Sequence, residues 1–435
     1  MNILMMTNTY LPHVGGVARS VEAFSEKYHE LGHKVMIVAP NFDGADDSMS
    51  SAEVVRLPAI QNFNGSDFSV VLPISSIFSN LIEGFKPDVV HSHHPFLIGS
   101  TALRLAALYG FPHVFTHHTM YEQYTHYVPG DSKRMRSFAK RLSTHYANLC
   151  DHVIAPSESI AKLLRQREVK APISVVPTGV KLERFKAGDV GQFKADNNIP
   201  EDAFVVGHLG RLAEEKNLPY LADAISLFLR QHPKAYCLIV GEGPAHERIG
   251  DSFAESGVAD RVVMLGIIEG DEFASAYRSM DVFAFASKSE TQGMVLTEAM
   301  AAGVPVIGLD APGVREVLKD KQNGRLLFNA SIEQFATTLG EFTTLSKAAK
   351  ERYRKGALAT AEEFSLDNSA RKALSLYQSL IDADVKHRYG QHDVWSGLLP
   401  LISTEWELLK TYIESAGGAA LGTRSDADTE QRTGD

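Results

Sequence analysis

The chain has 435 residues, 44% hydrophobic and 22% charged, which is too long for one ordinary core and fits two α/β domains of a globular protein. Its net charge of −10 disfavours general nucleic-acid binding, and no apolar run approaches the roughly 18 uncharged residues that a membrane-spanning helix needs. The opening MNILMMTNTYLP lacks the layout of a secretory signal and the two cysteines lack metal-ligand spacing, so a reduced, cytoplasmic setting is expected.

Apolar runs typical of strands alternate with helical stretches from the beginning of the chain. The strands predicted in the first half are 2–7, 34–39, 88–92, 113–116, 151–155 and 173–176, and the helices are 17–31, 97–109, 133–149 and 157–166. This alternation predicts βαβ units around a parallel sheet that is covered on both faces.

The alternation stops at VVPTGVKLERF, residues 175–185, and restarts after Pro200. The second set of predicted strands is 203–209, 235–240, 261–265, 281–284 and 304–307. We therefore predict a first domain over 1–185, a second over 186–380, a helical extension over 381–416 and a disordered tail over 417–435. The extension carries an apolar stripe at helical spacing, made of Leu398, Ile402, Trp406, Leu409 and Ile413.

The loop after the first strand contains Gly15 and Gly16. Adjacent glycines at the beginning of a helix let backbone N–H groups approach an anion, although a plain tight turn has the same appearance. The G-x-G-x-x-G fingerprint is missing, which disfavours a dinucleotide-dependent redox enzyme.

The segment GRLAEEKN, residues 210–217, directly follows a predicted strand. Arg211 and Lys216 would then project from a strand-end loop, where open α/β sheets bind ligands. Two cations at that place suit a diphosphate, whose negative charge grows as it leaves. Two solvated surface charges are the alternative interpretation.

The segment SKSETQGMVLTEAMAAGVPVI, residues 287–307, places Glu290 in a loop and Glu298 inside the helix that Gly293 opens. Both carboxylates can then face one cleft and accept hydrogen bonds from sugar hydroxyls. The N–H groups of Gly293, Met294 and Val295 would add anion-binding capacity. Carboxylates near a helix start also occur simply as partners of the helix dipole.

Histidines cluster in HSHH at 91–94 and in HHTMYEQYTHY at 117–127. No H-E-x-x-H motif and no nearby cysteine accompany them, so no metal site is predicted. His118 follows a strand on a ligand-facing loop, where it would either contact a substrate or fill a structural role.

The helix predicted over 133–149 is amphipathic and basic. Its apolar face comprises Met135, Phe138, Leu142, Tyr146 and Leu149, and its other half carries Lys133, Arg134, Arg136, Lys140 and Arg141. Such a helix can pack on its own domain and present cations to anionic lipid headgroups, although a solvated face without a partner gives the same pattern. Residues 1–170 hold 15 Lys/Arg and 15 Asp/Glu, so the rest of the chain carries the whole net charge.

The chain resembles glycosyltransferase family 4 over about residues 1–380. The resemblance rests on five motifs that occur in the expected order: the GGV loop, THHT at 116–119, GRLAEEKN, GEGP at 241–244 and ETQGMVLTEAMAAGVPVI. This resemblance implies retaining enzymes with the GT-B fold, an α/β architecture of two Rossmann-like domains whose parallel sheets face a central cleft. It also implies that no metal or other cofactor is needed, since cationic side chains and helix dipoles meet the donor phosphates.

The resemblance implies a role for each motif residue. Gly16 would approach the donor phosphate or the acceptor, Arg211 and Lys216 would bind the diphosphate, and His118 would lie near the sugar at the reaction centre. Glu290 would contact the hydroxyls of the transferred sugar, with Gly293, Met294 and Val295 beside it. Glu298 would bind the ribose.

Within the family, THHTMYEQYTHYVP and SETQG are similar to diacylglycerol glucosyltransferases. We therefore expect transfer of a hexose from UDP-glucose to a membrane lipid, by a protein attached peripherally to the anionic inner face of the cell membrane. A soluble sugar, sugar-phosphate or thiol-precursor acceptor is the alternative, and a non-catalytic nucleotide-sugar-binding protein is another. The sequence predicts no nucleic-acid partner and leaves the oligomeric state open.

Overall fold

The computed structural model describes residues 1–12, 15–42, 44–48, 50–60, 70–71, 81–123, 133–287 and 290–383. The chain divides into two compact units, and each unit is discontinuous in sequence. Unit 1 comprises Met1–Ile154, Leu164–Ile173 and the chain from Leu376, and unit 2 comprises Ala155–Leu163 and Ser174–Ser375. The predicted domains were continuous stretches of the chain, whereas this grouping returns the end of the last described helix, from Leu376 onward, to unit 1.

Unit 1 is built on a seven-stranded parallel sheet with the order β3-β2-β1-β6-β7-β8-β9. Its strands are β1 (Asn2–Met6), β2 (Lys34–Pro40), β3 (Glu53–Leu57), β6 (Val89–Ser92), β7 (His113–Thr116), β8 (His152–Ala155) and β9 (Ile173–Val175). A separate antiparallel pair joins β4 (Ala59–Ile60) to β5 (Val70–Val71). The central strands are buried on both faces, which explains the apolar sequence of β1. Strands β6 and β7 are equally buried but also carry the polar residues His91, Ser92, His113 and Thr116.

Helices cover both faces of this sheet. They are α1 (Gly16–Glu30), α2 (Ile98–Tyr109), α3 (Lys133–Leu149) and α4 (Glu158–Gln166), the last of which passes from unit 2 into unit 1. Helix α1 buries Ala18, Val21, Phe24 and Tyr28, and this spacing of three to four residues gives it one apolar stripe against the sheet.

Unit 2 is built on a six-stranded parallel sheet with the order β12-β11-β10-β13-β14-β15. Its strands are β10 (Phe204–Leu209), β11 (Ala235–Val240), β12 (Val262–Leu265), β13 (Val282–Phe285), β14 (Val306–Leu309) and β15 (Gly324–Leu327). Its helices are α5 (Val190–Asp196), α6 (Leu218–Gln231), α7 (His246–Glu255), α8 (Gly270–Arg278), α9 (Met294–Ala301), α10 (Val314–Val317), α11 (Ile332–Thr343), α12 (Lys347–Glu363) and α13 (Leu366–Asp382). Helix α13 enters unit 1 from Leu376 onward.

Strand order fixes where each sheet can bind a ligand. In unit 1 the order reverses beside β1, which lies between β2 and β6, and in unit 2 it reverses beside β10, which lies between β11 and β13. Loops that leave the carboxyl ends of strands on either side of such a point diverge and open a crevice. The loops after β10 and β13, and those after β1 and β6, therefore form the candidate sites.

The predicted fold class is confirmed, since both halves are parallel α/β units of the predicted type. Strands β3, β4, β5 and β15 were not predicted. Strand β14 was predicted two residues early because Val304 and Pro305 extend the apolar run. The stripe between Leu398 and Ile413 and the predicted tail lie outside the described residues. Among the described helices, none is both long enough and apolar enough to cross a membrane.

Candidate functional site

The loop after β10 is held by the loop after β11. The N–H of Leu212 donates to the carbonyl of Glu242 over 2.8 Å, and Ala245 donates back to the carbonyl of Leu212 over 2.9 Å. Gly243 has φ +152, and any side chain there would collide with the carbonyl of Leu212. The glycine of the GEGP motif is therefore explained by this close approach of two backbones.

Lys216 lies in a short 3-10 turn at Glu214–Lys216, directly before α6. Its Nζ lies 2.5 Å from Oε1 of Glu290, and the two side chains are 22% and 13% exposed. This ion pair joins the loop after β10 to the loop after β13, on the two sides of the point where the strand order reverses. Two predicted site residues thus meet, although they are 74 positions apart.

Further hydrogen bonds fix the same two loops to each other. Asn217 Nδ2 donates to the carbonyl of Ala286 over 3.2 Å, and Ser287 Oγ donates to the carbonyl of Glu215 over 3.3 Å. Lys216 is therefore bracketed by neighbours that are anchored to the end of β13, and its position does not depend on the ion pair alone.

The loop from Glu290 to Gly293 is anchored by buried polar groups that the sequence analysis missed. Oε1 of Gln292 accepts from the N–H of Thr178 over 2.6 Å, and the Gln292 amide also donates to the carbonyl of Thr178. Ser157 Oγ donates to the carbonyl of Thr291 over 2.6 Å. These contacts hold the backbone that carries Glu290.

Gly313 closes the loop from the opposite side. It has φ +75, and a Cβ there would lie 2.9 Å from the N atom of Gln292 and 3.0 Å from the carbonyl oxygen of Glu290. Real Cβ atoms rarely approach that closely, so only glycine fits at this position without displacing the loop.

Helix α9 begins directly after this loop. Gly293 is its N-cap residue, in a left-handed conformation with φ 73° and ψ 53°, and no side chain caps this end. Met294 and Val295 occupy the first turn and are partly exposed. The first N–H groups of a helix attract negative charge, so this end of α9 suits an anionic group beside Glu290.

Glu298 lies one and a half turns into α9, where Tyr277 orients it. The Tyr277 hydroxyl donates to Oε2 of Glu298 over 2.8 Å. The Tyr277 ring is fully buried and packs edge-on against Phe273, with ring centroids 5.2 Å apart. A rigid phenol therefore holds the Glu298 carboxylate in place.

Charge at this site is mixed. Arg211 is exposed, and Lys216 and Glu290 form the ion pair. His208 donates its Nδ1–H to the carbonyl of Ala284 over 3.0 Å. Burial, with a smaller contribution from the Lys216 charge, lowers the pKa of His208 to about 4, so His208 is neutral at pH 7.

The predicted residues of unit 1 lie at the carboxyl edge of its sheet. Gly15 is the N-cap of α1 in extended backbone, and a Cβ on Gly16 would meet no atom of the described residues within 4 Å. The described part of the chain therefore leaves the space beside Gly16 open, although the backbone requires no glycine at either position.

His118 belongs to a hydrogen-bonded cluster in unit 1. Its Nε2 lies 2.9 Å from Nδ1 of His93, and burial together with neighbouring histidines lowers the pKa of both rings well below the usual value. Both histidine runs are evident in the sequence, whereas the pairing of His93 with His118 is not. Within the described ranges, no three His, Cys, Asp or Glu side chains are placed to hold a metal ion.

The basic helix α3 has the predicted amphipathic character where its side chains are described. Arg136, Lys140 and Arg141 are exposed, Phe138 and Leu142 are partly buried, and Tyr146 is 4% exposed. The Tyr146 hydroxyl lies 2.8 Å from the carbonyl oxygen of Gly99, to which it donates, and 2.8 Å from Ser92 Oγ. The side chains of Lys133, Arg134 and Met135 lie outside the described part.

Two family models match the chain. The one described as Glycosyltransferase Family 4 matches residues 14–184, and the one described as Glycosyl transferases group 1 matches residues 189–358.

Curated proteins similar to this chain include two alpha-monoglucosyldiacylglycerol synthases. The one from Acholeplasma laidlawii is 28% identical, over 89% of this chain and 99% of the relative. The one from Streptococcus pneumoniae is 29% identical, over 75% of each protein. A GDP-mannose-dependent alpha-mannosyltransferase from Corynebacterium glutamicum is 28% identical, over 75% of this chain and 76% of the relative.

Solved structures agree on the fold. Sucrose-phosphate synthase from Thermosynechococcus elongatus has a TM-score of 0.72 at 21% identity, covering 88% of this chain and 99% of that chain. HepE from Anabaena, solved in complex with UDP-glucose, has a TM-score of 0.67 at 18% identity, covering 87% and 100%. At these identities the likeness concerns the fold alone.

Proposed function

The chain is a retaining glycosyltransferase of the GT-B fold, with a family 4 domain followed by a group 1 domain, and from this premise we propose that it transfers glucose from UDP-glucose to diacylglycerol in a membrane. The observation that carries the donor half of the proposal is the ion pair between Lys216 and Glu290, which lies where the strand order of unit 2 reverses. A cation and a carboxylate side by side match the diphosphate and the sugar hydroxyls of one donor molecule.

The donor phosphates would be held by positive charge from two sources. Arg211 and Lys216 supply cationic side chains, and the N-terminus of α9 at Gly293, Met294 and Val295 supplies backbone N–H groups. An ammonium group has three N–H donors, so Lys216 can hold Glu290 and also meet a phosphate oxygen. These groups stabilise the charge that builds on the diphosphate as the sugar departs.

The remaining donor contacts would come from carboxylates. Glu290 accepts hydrogen bonds from the hydroxyls of the transferred sugar, while Lys216 fixes its orientation. Glu298 accepts from the ribose hydroxyls and is held for this purpose by Tyr277. In unit 1, His118 acts at the reaction centre and Gly16 leaves room for the phosphate or the acceptor.

No divalent metal takes part in this proposal, because side-chain cations and a helix terminus would meet the phosphates in its place. The D-x-D spacing that some transferases use to bind a metal occurs in the sequence only at Asp382/Asp384 and Asp426/Asp428, beyond the second sheet. Transfer should continue in excess EDTA, and a loss of activity that a divalent ion restores would refute this part.

The lipid acceptor is supported by two observations. The synthases from Acholeplasma laidlawii and Streptococcus pneumoniae are named for glucosylated diacylglycerol, and α3 exposes Arg136, Lys140 and Arg141 above an apolar face. Clustered cations bind anionic lipid headgroups, so we propose peripheral attachment to the anionic inner face of the cell membrane through unit 1.

A soluble acceptor is the second candidate. It is favoured by a D-inositol 3-phosphate glycosyltransferase from Stackebrandtia nassauensis, 28% identical over 68% of each protein, because the acceptor in that name is a water-soluble phosphate. Incubation with radiolabelled UDP-glucose, UDP-galactose or GDP-mannose and a membrane lipid extract separates the candidates. Label in the organic phase from UDP-glucose supports the proposal, and label in a new water-soluble glycoside, separated from the unreacted donor by chromatography, favours a soluble acceptor.

A further inference from the structure

His93 and His118 follow neighbouring strands of the unit 1 sheet. His93 comes directly after β6, His118 comes two residues after β7, and the two strands pair in parallel. Nδ1 of His93 lies 2.9 Å from Nε2 of His118, and the rings are nearly parallel, with centroids 5.2 Å apart and an interplanar angle of 24°. The bond therefore uses one nitrogen of each imidazole.

Both rings are neutral near pH 7. His93 is 1% exposed, and burial is the main cause that lowers the pKa of His93 and of His118 well below the usual value. Each neutral imidazole carries one N–H, so a single proton lies between Nδ1 of His93 and Nε2 of His118.

The unused nitrogen of His93 shows which ring donates. Nε2 of His93 is buried and has no hydrogen-bond partner among the described residues. If His93 were protonated at Nε2, this atom would be a buried N–H without an acceptor, which native structures rarely contain. Protonation at Nδ1 leaves a lone pair at Nε2 instead and makes His93 the donor.

His91 restrains His93 from the other side. Its Nδ1 lies 2.7 Å from the Tyr377 hydroxyl and its Nε2 lies 2.7 Å from Thr116 Oγ1, so both nitrogens are used. The His91 ring contacts the His93 ring with centroids 4.1 Å apart, yet it has no nitrogen left to compete for the proton of His93.

We infer that His93 is a positioning residue that donates its Nδ1–H to Nε2 of His118, so that His118 presents Nδ1–H to the substrate as a hydrogen-bond donor. This inference rests on the proposed role of His118 at the reaction centre. It deepens that role, because a ring fixed in this tautomer can donate to an oxygen of the sugar or the phosphate but cannot accept a proton there.

The direct test is nitrogen NMR of the full-length protein with 15N-labelled histidine side chains. The chain has 17 histidines, and spectra of His118→Ala and His93→Ala identify the two sets of signals. We expect protonated Nδ1 and unprotonated Nε2 on both rings. A protonated Nε2 on His118 overturns the inference, whether or not the protein transfers glucose.

Three variants test the consequence for activity. The side-chain amide of His93→Asn can replace the Nδ1–H donor, whereas His93→Ala removes it and His93→Asp supplies only acceptors. Loss of a partner that orients a histidine typically costs about ten- to a hundredfold in activity. We expect that loss in kcat for the Ala and Asp variants, with unchanged UDP affinity and with kcat largely retained by His93→Asn.

The outcomes distinguish a failure of the proposed hydrogen bond between His93 and His118 from a failure of the proposed role of His118 in glycosyl transfer. Full kcat in a folded His93→Ala overturns the positioning role. Full kcat in His118→Ala overturns the role proposed for His118 in transfer, while the nitrogen shifts still decide the direction of the hydrogen bond. Thermal unfolding of each variant identifies those whose loss of kcat reflects misfolding, and for these the NMR of the unmodified protein decides.

Discussion

Nζ of Lys216 lies 2.5 Å from Oε1 of Glu290, so a cation and a carboxylate from two different loops form one partly buried pair. The pair lies at the point of strand reversal in unit 2, and it unites the two motifs that the sequence analysis treated separately. Its neighbours Asn217 and Ser287 tie the same loops together, which makes the pair part of a rigid structure.

Lys216→Ala should weaken UDP binding and leave the fold intact. Charge-assisted hydrogen bonds contribute roughly 1.5–3 kcal/mol, so the dissociation constant should rise roughly ten- to a hundredfold. Calorimetric titration with UDP measures this change. Lys355→Ala is the matched control, because that side chain is 73% exposed on α12, and it should bind UDP normally. Equal affinities for both variants would exclude the phosphate-binding role.

Gly313→Ala should damage donor binding through the loop that carries Glu290. Both Gly313 and Gly257 have left-handed backbone, with φ +75 and +69, but a Cβ meets nothing within 4 Å at Gly257. Gly257→Ala therefore measures the backbone penalty alone, about 1–2 kcal/mol. Gly313→Ala should in addition displace the loop that carries Glu290 and reduce the affinity for UDP roughly tenfold. If the two variants bind UDP equally well, the close approach has no role in holding the site.

Much of this site could be predicted from the sequence because strand-end loops and helix starts are local features. The GRLAEEKN and ETQGMV segments each follow an apolar strand, and parallel topology then brings them to one edge. Gln292, Tyr277 and Gly313 were missed because their importance arises from contacts across the fold. Gln292 reaches Thr178 and Tyr277 reaches Glu298, and no spacing rule connects such positions.

The first unit was less predictable for a similar reason. The histidine runs suggested either a substrate contact or a structural role for His118, and only the pairing with His93 relates the two runs to each other. Strand β3 was missed because its five residues, EVVRL, include two charged side chains, and Arg56 among them is ion-paired with Asp47. Tertiary contacts stabilise that strand more than its own sequence does.

Replacing Arg136, Lys140 and Arg141 by Ser should reduce sedimentation with anionic vesicles and leave UDP affinity unchanged. Each cation near an anionic surface contributes about 1 kcal/mol, so the triple variant should bind roughly a hundredfold more weakly at low salt. The matched control replaces Lys34, Lys86 and Lys170, three exposed cations of the same unit.

The attraction should also weaken as salt is added, because the Debye length falls to about 8 Å near physiological ionic strength. Truncation after Gly390 tests the competing anchor, which is the apolar stripe near the end of the sequence. If neither the triple variant nor the truncation changes vesicle binding, attachment through α3 is wrong.

Unit 1 should lose stability as the pH falls from about 6.5 toward 5. Burial lowers the pKa of His91 and His113 to about 3 and that of His117 to about 4. The unfolded chain therefore binds more protons than the folded one, and the stabilisation present above pH 6.5 is lost as the pH falls toward these values. Each such histidine changes the free energy of unfolding by about 1.4 kcal/mol per pH unit in this window.

Chemical denaturation at several pH values between 7.5 and 5 measures this slope. His113→Gln should reduce the slope by the amount that corresponds to about one proton bound on unfolding. Gln keeps a polar group near Ser92 but does not titrate. A free energy of unfolding that is flat or rises toward pH 5 would show that these histidines are not neutral in the folded protein.

The most direct test of the whole account is glucose transfer to a defined lipid. The protein is incubated with radiolabelled UDP-glucose and anionic vesicles that contain diacylglycerol, in excess EDTA, and the lipids are extracted into organic solvent. The account predicts a labelled glucosyl-diacylglycerol in the α configuration, formed by the unmodified protein and greatly reduced in Lys216→Ala. Label that enters only a soluble sugar or sugar phosphate, with none in the extracted lipid, would contradict it.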